Sequence, residues 1–310
     1  MPPLVSILIP CYNAERWVKQ CIESALGQTY PNKEVIVADD GSTDRSLEVL
    51  KSFGDKIQVL QTGHAGANVA RNKLVAASRG DWLQFLDADD YLLPEKLADQ
   101  LQLVDQLNQA VDLVYSPMIF RYELTGRERR VRIEEAADTP LNFIRWEPFG
   151  TLCILCRKET LLAIEGWKED QPCCQEHEVL LRFILNGKRF ALLNKPNSVY
   201  RQHSSETISK KDPLRVVRQR SALTDRLEQH LNTTGQKTKA HQKALYVARM
   251  ESARGAYRFD PELARQLQQK ADGNGRHWIY SCPALPVPYQ LVLSVLGFDR
   301  TERLAAWLRK

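Results

Sequence analysis

Four short, mostly apolar runs, at residues 5–9, 34–38, 57–60 and 82–86, are separated by segments with helical spacing, and this alternation constrains the fold more than any other feature. In the first helical segment Val18, Cys21, Ile22, Ala25 and Leu26 fall on one face; a second covers 46–53 with Leu47 and Leu50 inward, and a third covers 68–78. A strand with one wet face alternates polar and apolar residues, whereas a continuously apolar strand is covered on both sides. The pattern therefore predicts an α/β fold with a mostly parallel central sheet and helices on both faces. Ligands of such sheets sit beyond the carboxyl ends of the strands.

Further along the chain the spacing predicts strands at 114–115 and 118–122, a basic turn at 127–132 leading into another strand, a helix at 141–146 and a strand at 152–156. A helix over 175–186 turns Val179, Leu180, Phe183 and Ile184 inward and stops at Asn186-Gly187, and strands at 189–193 and 198–200 follow. After Asp212-Pro213 the pattern is almost all helical, broken at 232–235, 273–275 and 283–288. The expected division is an α/β domain over 1–209, with a nucleotide side at about 1–115 and an acceptor side at about 116–209, and a helical region over 210–310.

Charge divides at the same place. Of 43 Lys and Arg and 38 Asp and Glu, residues 210–310 hold 19 basic against 9 acidic, so the net charge of +5 combines an acidic first part with a basic tail. The apolar fraction of 43% and charged fraction of 26% are those of a soluble globular protein. No apolar run is long enough to span a bilayer, and the basic tail carries no groove-reading motif, which argues against nucleic acid. Seven cysteines without a disulfide framework, and no secretory leader, place the chain in the cytoplasm. Cys153 and Cys156 have metal-ligand spacing but lie in an apolar strand with no second pair, so they read as buried structural cysteines. The apolar stretch at 283–296 and the final helix bearing Trp307 leave three partners open for the tail: the inner face of an anionic membrane, the catalytic domain itself, or a second copy of the chain.

The polar motifs cluster at two strand ends. Asp39-Asp40-Gly41-Ser42-Thr43-Asp44 follows the second strand, and Asp87-Ala88-Asp89-Asp90 follows the fourth. Hard divalent cations take oxygen ligands, and Mg2+ or Mn2+ binds through one or two carboxylates together with substrate phosphates. A D-x-D at a strand end puts alternate side chains on one side, so Asp87 and Asp89 can act together. The plain alternatives are turn chemistry for the first motif and helix capping for the second.

Taken in order and spacing, the segments 5–15, 24–30 and 39–44, Ala70-Arg71-Asn72 and 86–90 resemble glycosyltransferase family 2, whose members have the GT-A (Rossmann-like) fold and are inverting nucleotide-sugar glycosyltransferases. The resemblance is close over about the first 100 residues and looser to about 209. It implies that Pro10, Tyr12 and Asn13 line the nucleotide base, that Asp40 meets a uracil-like ring while Asp39 supports the loop, and that Arg71 and Asn72 lie below the sugar nucleotide. Asp89 is then the principal metal ligand, with Asp87 and Ala88 against the ribose and diphosphate and Asp87 also toward the metal. Tyr200-Arg201-Gln202-His203 resembles the end of the family's catalytic domain, with His203 completing the metal shell and Arg201 neutralising the leaving group.

An inverting transfer needs a carboxylate to take the acceptor hydroxyl's proton. The resemblance puts it at Glu176, in Gln175-Glu176-His177-Glu178, where the family usually has Asp; Glu178 is the runner-up. The implied reaction moves a sugar, most simply UDP-linked, from a nucleoside-diphosphate sugar to a glycan or lipid-linked acceptor in cell-envelope or exopolysaccharide synthesis. Two competing readings are a catalytically silent nucleotide-sugar-binding module and a sugar nucleotidyltransferase. The second would require a Gly-rich phosphate loop after the first strand, where Pro10-Cys11-Tyr12-Asn13 stands.

Overall fold

The computed structural model describes residues 2–133, 138–146, 150–203, 212–281 and 285–308. These divide into two compact units, one of Met1–Thr139 with Pro148–Ser204 and the other of Pro140–Glu147 with Ser205–Lys310.

The first unit is built on a seven-stranded sheet. Strands β1 (Val5–Cys11), β2 (Lys33–Asp39), β3 (Gln58–Gln61) and β4 (Trp82–Phe85) are mutually parallel in the order β4-β1-β2-β3. Every side chain from Val5 to Ile9 is buried, as a strand covered on both faces requires. Helices α1 (Val18–Leu26), α2 (Ser46–Lys51) and α3 (Ala67–Ala77) connect these strands, with Val18, Cys21, Ile22 and Ala25 of α1 and Leu74 and Val75 of α3 in the core. Three more strands, β6 (Leu113–Tyr115), β9 (Ile154–Arg157) and β10 (Phe190–Leu192), extend the sheet in the order β10-β6-β9-β4, with β9 antiparallel to both of its neighbours. Cys153, just before β9, and Cys156, within it, are both buried. The expected α/β class and mostly parallel sheet are what the chain forms.

A second sheet of four short strands flanks the first, in the order β5 (Tyr91–Leu92), β11 (Ser198–Gln202), β7 (Ile119–Tyr122), β8 (Arg127–Arg130). The basic segment at 127–130 is strand, not turn; the turn precedes it at Leu124-Thr125-Gly126, where the Gly126 N–H donates to the Tyr122 carbonyl. Helices α4 (Lys96–Gln106), α6 (Lys158–Ala163) and α7 (Gln175–Leu185) complete the unit.

In the second unit α8 (Pro213–Thr233), α9 (Lys239–Tyr257), α10 (Pro261–Asp272), α11 (Val287–Leu296) and α12 (Phe298–Leu308) enclose a core that includes Tyr246, Met250, Leu267, Ile279, Leu285 and Phe298. Asp212 and Asp260 cap α8 and α10 by accepting the backbone N–H groups of Arg215 and Leu263, each with proline in the first turn. The short helix α5 (Thr139–Ile144) falls mostly in this unit, where the sequence boundary at 209 had left it with the α/β part. Its Leu141, Phe143 and Ile144 are buried, and Trp146 lies under the Arg220 guanidinium of α8 at 5.1 Å. The boundary at 209 itself lies outside the described residues.

Candidate active site

At the end of β2 the two adjacent carboxylates are used differently. Asp40 accepts three hydrogen bonds from the loop after β3: Thr62 Oγ1 at 2.7 Å and the Ala65 N–H at 2.8 Å on Oδ1, and the Gly66 N–H at 2.8 Å on Oδ2. Burial works to raise its pKa, but these bonds outweigh it and hold the carboxyl below its ordinary value. Asp39, opposite Cys11 in the β1–β2 register, is buried, and no hydrogen-bond partner reaches its Oδ1. A buried carboxylate oxygen left open in this way is costly unless something else supplies a donor. Tyr12, half-exposed, stacks on His64 at 4.5 Å between ring centroids, and the two rings form an aromatic ledge beside the strand end. Gly41 (φ +79°) is required here, because a Cβ would lie 3.1 Å from the His64 nitrogen.

At the β4 end the carboxylates again divide. Asp87 accepts from Arg71 Nη2 at 2.8 Å on Oδ1 and from Thr151 Oγ1 at 2.7 Å on Oδ2. Asp90 is wholly buried; its Oδ1 accepts the Arg201 N–H at 2.8 Å, and burial, reinforced by the charges of Asp89 and Asp87, pushes its pKa well up. Asp89 is the open member: its side chain is 42% exposed, and its Oδ2 lies 2.8 Å from His203 Nε2. Ala88 is buried between them.

Helix α7 brings the third element. Cys174 adopts a left-handed conformation (φ 55°, ψ 36°) at its N-cap and turns Gln175 and Glu176 toward the strand ends. Arg71 Nη1 donates to Gln175 Oε1 at 2.8 Å while its Nη2 holds Asp87, so one buried guanidinium ties α7 to the acidic turn. The guanidinium also lies over the Trp167 ring at 4.7 Å. Glu176 keeps 29% of its side chain exposed, with His177 Nδ1 at 3.4 Å from Oε1. Burial works to raise its pKa, but the neighbouring His177 and Arg71 outweigh it and hold the carboxyl below its ordinary value. Glu178 is buried in a pair with Arg182, Nη2 to Oε2 at 2.8 Å, and faces the interior.

Residues 6–160 match the family model "Glycosyl transferase family 2", which spans half of the chain. The chain belongs to this family. Curated relatives include an uncharacterized glycosyltransferase of Rickettsia typhi, 37% identical over 113 residues (36% of each chain), and one of Haemophilus influenzae, 32% identical over 163 residues (51% of this chain and 64% of that one). The similarity thus spans between about a third and two thirds of these relatives' lengths. Among solved structures, S. aureus TarS 1-349 superposes with a TM-score of 0.65 at 19% identity, over 99% of this chain and 91% of that one. The mannosyltransferase PcManGT from Pyrobaculum calidifontis, in complex with GDP-Man and Mn2+, superposes with a TM-score of 0.54 at 16% identity, over 99% of this chain and 84% of that one. At these identities the superpositions establish the shared fold.

Within this family 2 chain, several residues that the motif pattern places at the site turn out to be engaged elsewhere. Asn72 is committed at both ends of its amide, donating to the Trp167 carbonyl at 2.8 Å and accepting the Trp167 N–H at 2.9 Å, so it pins the loop before α7. Asn13 accepts the Thr43 N–H at 2.8 Å while its own N–H donates to Ser42 Oγ at 3.0 Å, which makes it a brace between two loops. Arg201 is buried: it donates to the Asp89 carbonyl at 2.8 Å and to Gln20 Oε1, pairs with Glu123, and is sandwiched between Trp17 (4.9 Å) and Tyr91 (4.6 Å). Through these contacts it steadies the acidic turn. Asp40, which the resemblance sets against the base, is bonded to the loop at 62–66, while Asp39, given the supporting part, keeps an unpartnered buried Oδ1. Thr62, Thr151, His64 and Gln175, which hold or flank these groups, have their partners 22, 64, 24 and 104 positions away, beyond the reach of local spacing.

Proposed function

We propose that the chain transfers a sugar from a nucleoside-diphosphate sugar, most simply UDP-linked, to an acceptor hydroxyl with inversion, in the synthesis of a cell-envelope or exported glycan. The observation that carries this reading is the pair of carboxylates at the ends of β2 and β4, the two strands that flank β1: the unpartnered Asp39 and the exposed Asp89, with Glu176 brought up by α7. Asp39 Oδ1, buried and without a partner, is the acceptor assigned here to the ring N–H of a uracil, and the half-exposed Tyr12 with His64 offers the base an aromatic face. The UDP-GlcNAc complex of S. aureus TarS 1-349, of the same fold, is consistent with such a donor.

The donor set suits a divalent cation shared with phosphate. Asp89 and His203 offer oxygen and nitrogen ligands side by side, while Asp87, with both oxygens occupied, holds the turn that presents them. Asp89 and His203 would hold Mn2+ or Mg2+ there, which would supply positive charge against the leaving diphosphate. Glu176 accepts the proton of the attacking hydroxyl, and the Arg71 link keeps its helix in register with the acidic turn.

The test is release of UDP from UDP-sugars in the presence of Mn2+, with acceptor supplied as crude glycan or lipid-linked saccharide. The reading predicts turnover that is lost in both Asp89→Ala and Glu176→Gln. Donor binding without turnover under any condition would favour a silent nucleotide-sugar-binding module instead.

A further inference from the structure

Two consecutive helices of the second unit leave apolar rows in solvent. On α11, Val287, Leu291 and Val295 recur every fourth residue and are exposed, Val295 to 81%, and the helix carries no ionisable residue besides Tyr289, which is buried. On α12, Leu304, Trp307 and Leu308 are exposed, Trp307 to 70%. At about 100° per residue, these three share an arc of roughly 140° with Arg300 and Arg303, which are also exposed. The acids of the same helix are turned away and consumed: Asp299 pairs with Arg265 at 3.1 Å, and Glu302 is buried against Arg254 at 3.4 Å and bonded to Tyr289. No acidic group pairs with Arg300 or Arg303 among the described residues. The outward face of α12 is therefore apolar and purely cationic, in a region that holds 19 basic against 9 acidic residues.

We infer that this α11–α12 face docks on an anionic lipid surface. A helix lying in the interface buries its apolar row at the acyl boundary, keeps Trp at headgroup level and lets Arg side chains reach the phosphates. Spanning is excluded for the described helices, none of which is long and apolar enough to cross a membrane. A second copy of the chain fits less well. A two-fold contact through this face would bury Arg300 and Arg303 of both copies in an interface whose own face carries no acid to pair them. The inference does not depend on the reaction proposed above.

The experiment is flotation of the full chain with phosphatidylcholine–phosphatidylglycerol vesicles, beside pure phosphatidylcholine vesicles, with light scattering to report self-association. Binding should require the anionic lipid and weaken with salt. The double variant Leu291→Asp/Val295→Asp should reduce partitioning by roughly tenfold or more through lost apolar insertion. Arg300→Gln/Arg303→Gln should reduce it by roughly tenfold through lost charge. All four positions are exposed, so circular dichroism should show both variants folded. No flotation on anionic vesicles, or flotation unchanged in both variants, would overturn the inference. So would a concentration-dependent dimer that the Asp variants dissolve.

Discussion

The two acidic strand ends differ in where their carboxylates come from but share a division of labour. After β2 the pair is adjacent in sequence: Asp40 is spent on the loop at 62–66, and Asp39 is left with an open oxygen. After β4 the group is a D-x-D-D: Asp87 is spent on Arg71 and Thr151, Asp90 puts Oδ1 on the Arg201 backbone N–H and keeps Oδ2 buried without a partner, and the exposed Asp89 faces His203. In both places a carboxylate fixed by two or three donors makes the turn rigid, so that its neighbour is presented in one direction. Preorganisation of this kind lets a site bind charge without reorganising at the moment of reaction.

The largest effect should come from the group that neither strand end supplies. Glu176→Gln should lower kcat by about 10²- to 10⁴-fold with donor affinity nearly unchanged, as read from UDP release and donor titration, because an amide cannot take the acceptor's proton. Since the Glu176 carboxyl lies below its ordinary value, activity should persist through mildly acidic pH and fall only as the pH drops through that lowered pKa. Asp89→Ala should cost about 10²- to 10³-fold in kcat and remove the response to added Mn2+. A variant that keeps its metal response would move the cation away from Asp89.

The spent carboxylates should instead show in stability. Asp40→Ala strips three donors of their acceptor and should lower the urea midpoint by an amount corresponding to about 1.5–3 kcal/mol. The Asp40 contribution is present above the unfolded carboxylate pKa and is lost as pH falls through the depressed folded value. A smaller effect in a higher pH range concerns Lys96, buried with its Nζ donating to Ser116 Oγ at 2.9 Å and the Cys153 carbonyl at 3.2 Å. Burial pushes its pKa down to about 7, so between there and the ordinary lysine value the unfolded chain binds more protons. Stability should therefore rise with pH across that range, and Lys96→Met should flatten the rise.

Much of this was legible in sequence, for a physical reason. Strands β1 to β4 are continuous apolar runs because both faces of the sheet are covered, and the acidic motifs follow them because parallel strands present their carboxyl ends together. The position of Glu176 near those ends followed from the family pattern. What could not be read was the direction of each side chain. Asp39 and Asp40 are identical in chemistry and adjacent, and only the fold of the 62–66 loop decides which one is spent. Asn72 and Arg201 sit near the site, but their partners, Trp167 and Gln20, lie 95 and 181 positions away and turn them inward. The helix α5 was misplaced for a similar reason, since local spacing gives its amphipathic face but not the core that receives it.

The measurement that bears most directly on the division between open and spent carboxylates is calorimetric titration of UDP into Asp39→Ala and Asp40→Ala, paired with thermal melts of the free proteins. Asp39→Ala should weaken UDP by roughly 10- to 100-fold, the loss of one hydrogen bond to a charged group, while melting no lower than the parent chain. Asp40→Ala should melt lower, with its affinity loss tracking the loosened loop. Full UDP affinity in Asp39→Ala, with the loss confined to an undestabilised Asp40→Ala, would contradict the account.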